Sequence, residues 1–180
     1  MKVTLRQFHR YISLIIAIQL LLWTISGIYF SFNKIENIRG EQYFVEQPAQ
    51  EQPTQKDITK ISFEEAKVIV SKMTTLTPIS VEIVDEEQRG SEYRGRELPL
   101  YKIVSLNENE EKINVYQNPF SGEIVAIRSP QWRIWDLMWG FHIMDWQERD
   151  NIGNIFLKIF SVLALLSAIT GIVLFFKKTA

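Results

Sequence analysis

The chain has 180 residues, no cysteine, and 20 basic against 21 acidic side chains. Lacking cysteine, it has no disulfides, thiolate metal sites, iron–sulfur clusters or cysteine nucleophiles. The near-neutral total hides a partition: Lys34 to Asp150 carries all 21 acidic residues against 14 basic ones, net −7, while Lys2, Arg6, Arg10, Lys158, Lys177 and Lys178 stand outside it. That pattern excludes a basic nucleic-acid surface and fits an acidic exported domain between basic inner ends.

Residues 1–32 read as an N-terminal tail and a first transmembrane helix. The apolar run Tyr11 to Phe32 has 22 residues, about 33 Å of helix and enough to cross a bilayer core of about 30 Å. It exceeds the apolar region of a signal peptide, and no A-x-A-like cleavage site follows, so the helix is expected to be retained. His9, Ser13, Leu20, Thr24, Gly27 and Ser31 share a face of roughly 60°, a small-residue stripe of the kind that lets membrane helices approach closely. His9 is thereby expected to point toward a partner helix, and Gln19, near mid-membrane, to require an internal hydrogen-bond partner.

Residues 33–57 form a juxtamembrane segment and a linker; the Gln, Pro and Glu of QPAQEQPTQKD, residues 47–57, cannot bury a core. A folded domain is expected over 58–128. Ser62 followed by Glu65 makes a capping box, and Phe63, Ala66, Ile69, Val70 and Met73 are spaced along a helix. Strands are expected at Ile79–Val84, Leu100–Leu106, Ile113–Tyr116 and Glu123–Ile127. DEEQRGSEYRGRE reads as an exposed loop, NENEE as a hairpin tip and NPFSG as a turn.

Residues 129–153 hold four of the five tryptophans. Trp132, Trp135, Trp139, His142 and Trp146 follow at steps of 3, 4, 3 and 4, placing them within roughly 60° of one helical face. This stretch is expected to be an interfacial helix, since tryptophan enriches at the membrane boundary. Residues 154–180 supply a second transmembrane helix, Ile155–Phe176, with a stripe of Ser161, Ala164, Ala168 and Gly171, and a short basic tail. An internal echo links the span ends: ISGIYFSF in the first and ITGIVLFF in the second.

In order along the chain stand R-x-x-H-R, a span ending W-T-I-S-G, IRGE, ISFEEA, INVYQNPFSGEIV, FHIMDW and a second span ending T-G. In that order the chain resembles the PepSY-associated transmembrane proteins. The resemblance implies a membrane α+β protein, with two transmembrane helices flanking a small PepSY-like domain of one helix on an antiparallel sheet. Larger members with four or more spans include ferric-siderophore reductases that bind b-type haem. The family name also implies a second role, in which a membrane-anchored PepSY module binds or restrains an envelope partner such as a peptidase. The expected setting is the bacterial inner membrane, with both termini cytoplasmic and the central domain periplasmic or extracellular.

His9 and His142 are the candidate haem b ligands, imidazole being a common axial ligand. The two lie at opposite membrane faces in the expected topology, so one molecule cannot clamp one haem with both. A homodimer would set each histidine opposite its own copy, giving an inner and an outer haem and an electron path across the bilayer. The alternatives stay open at this point: RQFHR as a basic patch touching lipid phosphates, and the Trp-rich stretch as a plain interfacial anchor. Asp145 is expected to orient the His142 imidazole through its second nitrogen; as a metal pair the two lack further ligands. No nucleophile elbow, phosphate loop or dinucleotide fingerprint is present.

Overall fold

The computed structural model describes residues 4–45 and 59–177. The expected linker at 47–57 and the terminal Lys2 and Lys178 lie outside them. Two compact units are formed, Met1–Phe32 with Leu137–Ala180, and Asn33–Asp136. Helix α4, Pro130–Ile143, belongs to both, since the division falls between Asp136 and Leu137.

The central unit is an antiparallel meander, β1 Thr77–Val84, β2 Leu100–Leu106, β3 Lys112–Gln117 and β4 Ile124–Arg128, in the order β1-β2-β3-β4. Helix α3, Phe63–Met73, begins at Ser62, whose hydroxyl accepts from the Glu65 amide while the Glu65 carboxylate takes the Ser62 amide, the capping box read in the sequence. Alternation along β2 and β3 then sorts the side chains. Tyr101, Ile103, Ile113 and Val115 join Ala66 and Val70 of α3 and Ile127 of β4 in one core, while Leu100, Tyr116 and Ala126 face the other way and pack with Tyr93.

Two segments depart from a reading based on composition. The residues after the first span fold onto the sheet unit: helix α2, Ile35–Arg39, buries Ile38, and Phe44 makes a β-bridge to Thr74. Gly40 ends α2 at φ 82, where a Cβ would stand 2.8 Å from Ile127, so this turn needs glycine for both conformation and space. The expected exposed loop is only partly exposed. Tyr93 is buried against Tyr116, and Glu92 accepts from Asn114, Tyr116 and Arg133. Burial works against the charged form of Glu92, but the hydrogen bonds and positive charge of Arg133 with its neighbours hold the carboxyl below its usual range.

Outside this unit lie two long apolar helices, α1 Leu5–Phe32 and α5 Ile155–Phe176. Their outward side chains are large and apolar, among them Leu14, Ile18, Leu21, Val162, Leu165 and Phe175. Such a surface suits lipid rather than water.

Candidate functional site

The inward seam of α1 is His9, Ile12, Ile16, Gln19, Trp23, Ser26 and Phe30, each buried or half-buried. Its steps alternate between 3 and 4, the repeat of a helix that keeps one seam against antiparallel neighbours. The expected small-residue stripe shares only His9 and Ser13 closely with this seam; Leu20, Thr24 and Ser31 are exposed. On α5 the buried contacts are Ser167 and Thr170, beside Ala164 and Gly171, while Ser161 and Ala168 face outward. On α1 the stripe arithmetic missed the true face because Ile, Gln, Trp and Phe carry much of the contact; on α5 small residues do carry it, and Ala164 and Gly171 of the expected stripe lie on that face.

His9 does face a partner helix. Its Nδ1 lies 2.9 Å from Thr170 Oγ1, and one turn on Ser13 Oγ lies 2.8 Å from Ser167 Oγ. The Thr170 hydroxyl donates to the Leu166 carbonyl of its own helix at 2.8 Å. With its single proton so used, Thr170 can only accept from His9, which protonates Nδ1 and, in the neutral ring, leaves the lone pair on Nε2. Gly171 makes room, since a Cβ there would stand 3.2 Å from His9 Cε1.

His142 repeats the arrangement with another helix. Its Nδ1 lies 2.7 Å from Ser26 Oγ, and Ser26 donates to the Leu22 carbonyl at 2.7 Å. The same accounting protonates Nδ1 and leaves the Nε2 lone pair. Around the ring stand Trp139, nearly parallel at 6.3 Å, Phe30, edge-on at 5.6 Å, and Trp23 at 6.5 Å. Burial lowers the His142 pKa below the ordinary histidine value and keeps the ring neutral. Among the described residues no hydrogen bond engages Nε2 of either histidine.

Sequence reasoning missed Ser26 and Thr170, although a signal was present. They hold equivalent places in the internal echo, I-S-G-I in the first span and I-T-G-I in the second. Each half of the echo supplies the hydroxyl that receives a histidine.

The last turn of α4 shows why His142 is held so firmly. Three successive carbonyls at the helix end, where the backbone ladder runs out, each take a side-chain donor: Gln19 Nε2 to Phe141 O at 3.1 Å, Trp23 Nε1 to His142 O at 2.6 Å, and Asn154 Nδ2 to Ile143 O at 2.8 Å. The partner expected for Gln19 is therefore a backbone carbonyl. In the antiparallel register of α1 and α5, residue 9 meets 170 and 13 meets 167, so Ile155 falls level with about residue 25 of α1. The final turns of α1 continue beyond the start of α5, and there α4 packs Trp139 and His142 against Phe30 and Ser26.

Two expectations about the Trp-rich stretch need correction. The helix ends at Ile143, with Met144 at φ 56, so Trp146 leaves the stripe and packs on Phe156 instead. Asp145 lies beyond the helix end too. Its carboxylate accepts the amides of Glu148, Asp150 and Asn151, so it shapes the loop, and Ser26 takes the role expected of it at His142. The other half of the stripe does different work: Trp132, buried, lies under the guanidinium groups of Arg128 at 4.4 Å and Arg94 at 5.6 Å.

His9 and Ser26 are seventeen positions apart on α1, about 25 Å at ~1.5 Å per residue. Two axial nitrogens on one iron stand about 4 Å apart, given metal–nitrogen bonds of ~2 Å. The two histidines of one chain are therefore too far apart to ligate one iron.

Two long apolar helices flanking a four-stranded antiparallel sheet with its helix define a membrane α+β protein. The family described as the PepSY-associated TM region matches residues 6–180, and the chain belongs to that family. Comparison with curated proteins and with solved structures gives no significant match.

Proposed function

We propose that this protein is a haem-dependent membrane electron carrier, a component of a ferric-reducing system, acting as a homodimer in the bacterial inner membrane with both termini cytoplasmic and the central domain exported. The observation that carries this reading is the repeated hydrogen-bond relay, imidazole Nδ1–H to hydroxyl to helix carbonyl, at His9 and at His142. A ligating histidine characteristically gives its other ring proton to a fixed acceptor, which sets the tautomer and aims the lone pair. Both histidines meet that requirement, and burial keeps the His142 imidazole neutral. Bound haem supplies one-electron exchange at its iron. The chain's own part is to hold Nε2 unprotonated and oriented, and to exclude water with Trp23, Phe30 and Trp139 at the His142 site. On this reading His9 and His142, separated by about 25 Å along α1, serve separate haems, each completed by the same histidine of a second copy about a two-fold axis.

The test is the optical spectrum of protein purified in mild detergent after haem supplementation. A Soret band with one haem per protomer, carried by a dimer, is expected. A preparation without the band ends the electron-carrier reading.

One observation favours the binding module as a second reading. Strand β1 is a sheet edge with Ile79 and Ile83 exposed, a surface on which an extended segment of an envelope protein can add a strand. Function that survives replacement of both histidines would select it.

A further inference from the structure

The sheet unit carries a cleft of about 360 Å³ that neither reading uses. Ile38, Ile124, Ala126 and Trp132 are among its walls, and Arg39, Arg96 and Arg128 line it with no acidic side chain. This is unexpected in a segment with 21 acidic and 14 basic residues. Nearby arginines are already matched, Arg94 to Asp136 and Arg133 to Glu92. Among the described residues, no carboxylate is paired with Arg39, Arg96 or Arg128.

Arg128 is fixed in advance. It rests on Trp132 at 4.4 Å, and donates from Nε to the Glu92 carbonyl and from Nη1 to the Ile127 carbonyl. Its Nη2 is left for another acceptor. Burial first, and then the positive charge of Arg96, lower its pKa to about 10. The carboxylate that Arg128 feels, Glu92, lies outside the lining and is already engaged by Arg133, so the like charges gathered in this concavity create a field that an anion relieves.

We propose that this cleft binds a phosphate-bearing amphiphile, with the phosphate held by Arg39, Arg96 and Arg128 and the apolar body lying along Ile38, Ile124 and Ala126. Phosphate is preferred to carboxylate because three arginines line the one cleft, and phosphate offers them more oxygens and more charge. An apolar body is required because the cleft lies within the range of roughly 300–1,000 Å³ typical of ligand sites, and a bare phosphate would leave its apolar wall uncovered. The site is independent of haem.

The full chain, in neutral phosphate-free detergent, is titrated with hexyl phosphate, inorganic phosphate and hexanol while tryptophan emission is read, Trp132 and Trp135 being the reporters. Hexyl phosphate saturates the response; inorganic phosphate binds at least about tenfold more weakly and hexanol gives none. Arg39→Gln and Arg96→Gln, both at exposed positions, each weaken hexyl phosphate binding by about tenfold, with unchanged circular dichroism. In phosphatidylcholine nanodiscs, added phosphatidic acid that blocks the hexyl phosphate response assigns the cleft to a lipid headgroup. Failure to block, with the response intact, assigns it to a soluble phosphate ester. An absent response to hexyl phosphate overturns the proposal, as does an equal response in wild type and in the Arg39→Gln/Arg96→Gln double variant.

Discussion

His9 and His142 make the same hydrogen bond in different surroundings. His9 hangs from one long helix, meets Thr170 on the other, and has Arg6 and Arg10 as sequence neighbours. His142 ends a shorter helix whose last carbonyls are each held by a side chain, and its ring stands among Trp23, Phe30 and Trp139. The tautomer is thus set by one shared device, while water access and local charge are set separately. Under the electron-carrier reading, the positive neighbours of His9 would favour the reduced form of an iron held there, and the aromatic surroundings of His142 would favour whichever form carries less charge.

The largest break in this comparison comes from removing the rings. His9→Ala and His142→Ala each abolish one site and halve the haem per protomer, and the double variant has none; Soret absorbance against protein concentration reads this directly. Retention of full haem content in both single variants would place the ligands elsewhere. Next come the hydroxyls. Ser26→Ala and Thr170→Ala leave the ligand but free its tautomer, and haem affinity falls about 10–100-fold, read by haem titration. If both hydroxyls are passive, the affinities stay at the wild-type value.

A smaller effect separates the sites by their scaffolds. Trp23→Phe leaves the His142 carbonyl without its indole donor and costs about 1–3 kcal/mol, seen as a lower melting temperature and a weakened His142 site with His9 unaffected. Acid does the same more gently. The His142 pKa is lower folded than unfolded, so its contribution to stability is complete above the ordinary histidine pKa of ~6.5 and declines as pH falls through the window below it. A His142→Phe variant, melted at several pH values, should lose that part of the slope. The smallest change is Gly171→Ala, which asks His9 to yield by a few tenths of an ångström from a contact of 3.2 Å. A modest spectral shift confined to the His9 site is expected.

The two spans, the capping box and the meander were legible because periodicity and capping chemistry are local. Ile155–Phe176 was bounded to the residue, and each expected strand lies within two residues of its observed ends. The contact faces were harder. His9 and Ser13 were placed on the right side of α1, but Leu20 and Thr24 were not, because small residues were taken as the guide where a seam of Ile, Gln, Trp and Phe is used. The acidic loop looked solvated by charge count alone, yet Glu92 and Tyr93 pair with partners distant in sequence. At the candidate site the histidines were visible and their partners were not. A hydroxyl in an apolar run reads as a packing residue until the helix facing it is known.

Each relay joins two helices: His9 on α1 reaches α5, and His142 on α4 reaches α1. In a single unpaired helix these imidazoles would exchange their protons between nitrogens like any free histidine. Association therefore comes before ligand readiness during biogenesis. Under the electron-carrier reading, a cofactor arriving before the helices have met would find no aimed lone pair and one arriving afterwards would find two, and the hydroxyls would act as a checkpoint on the order of assembly.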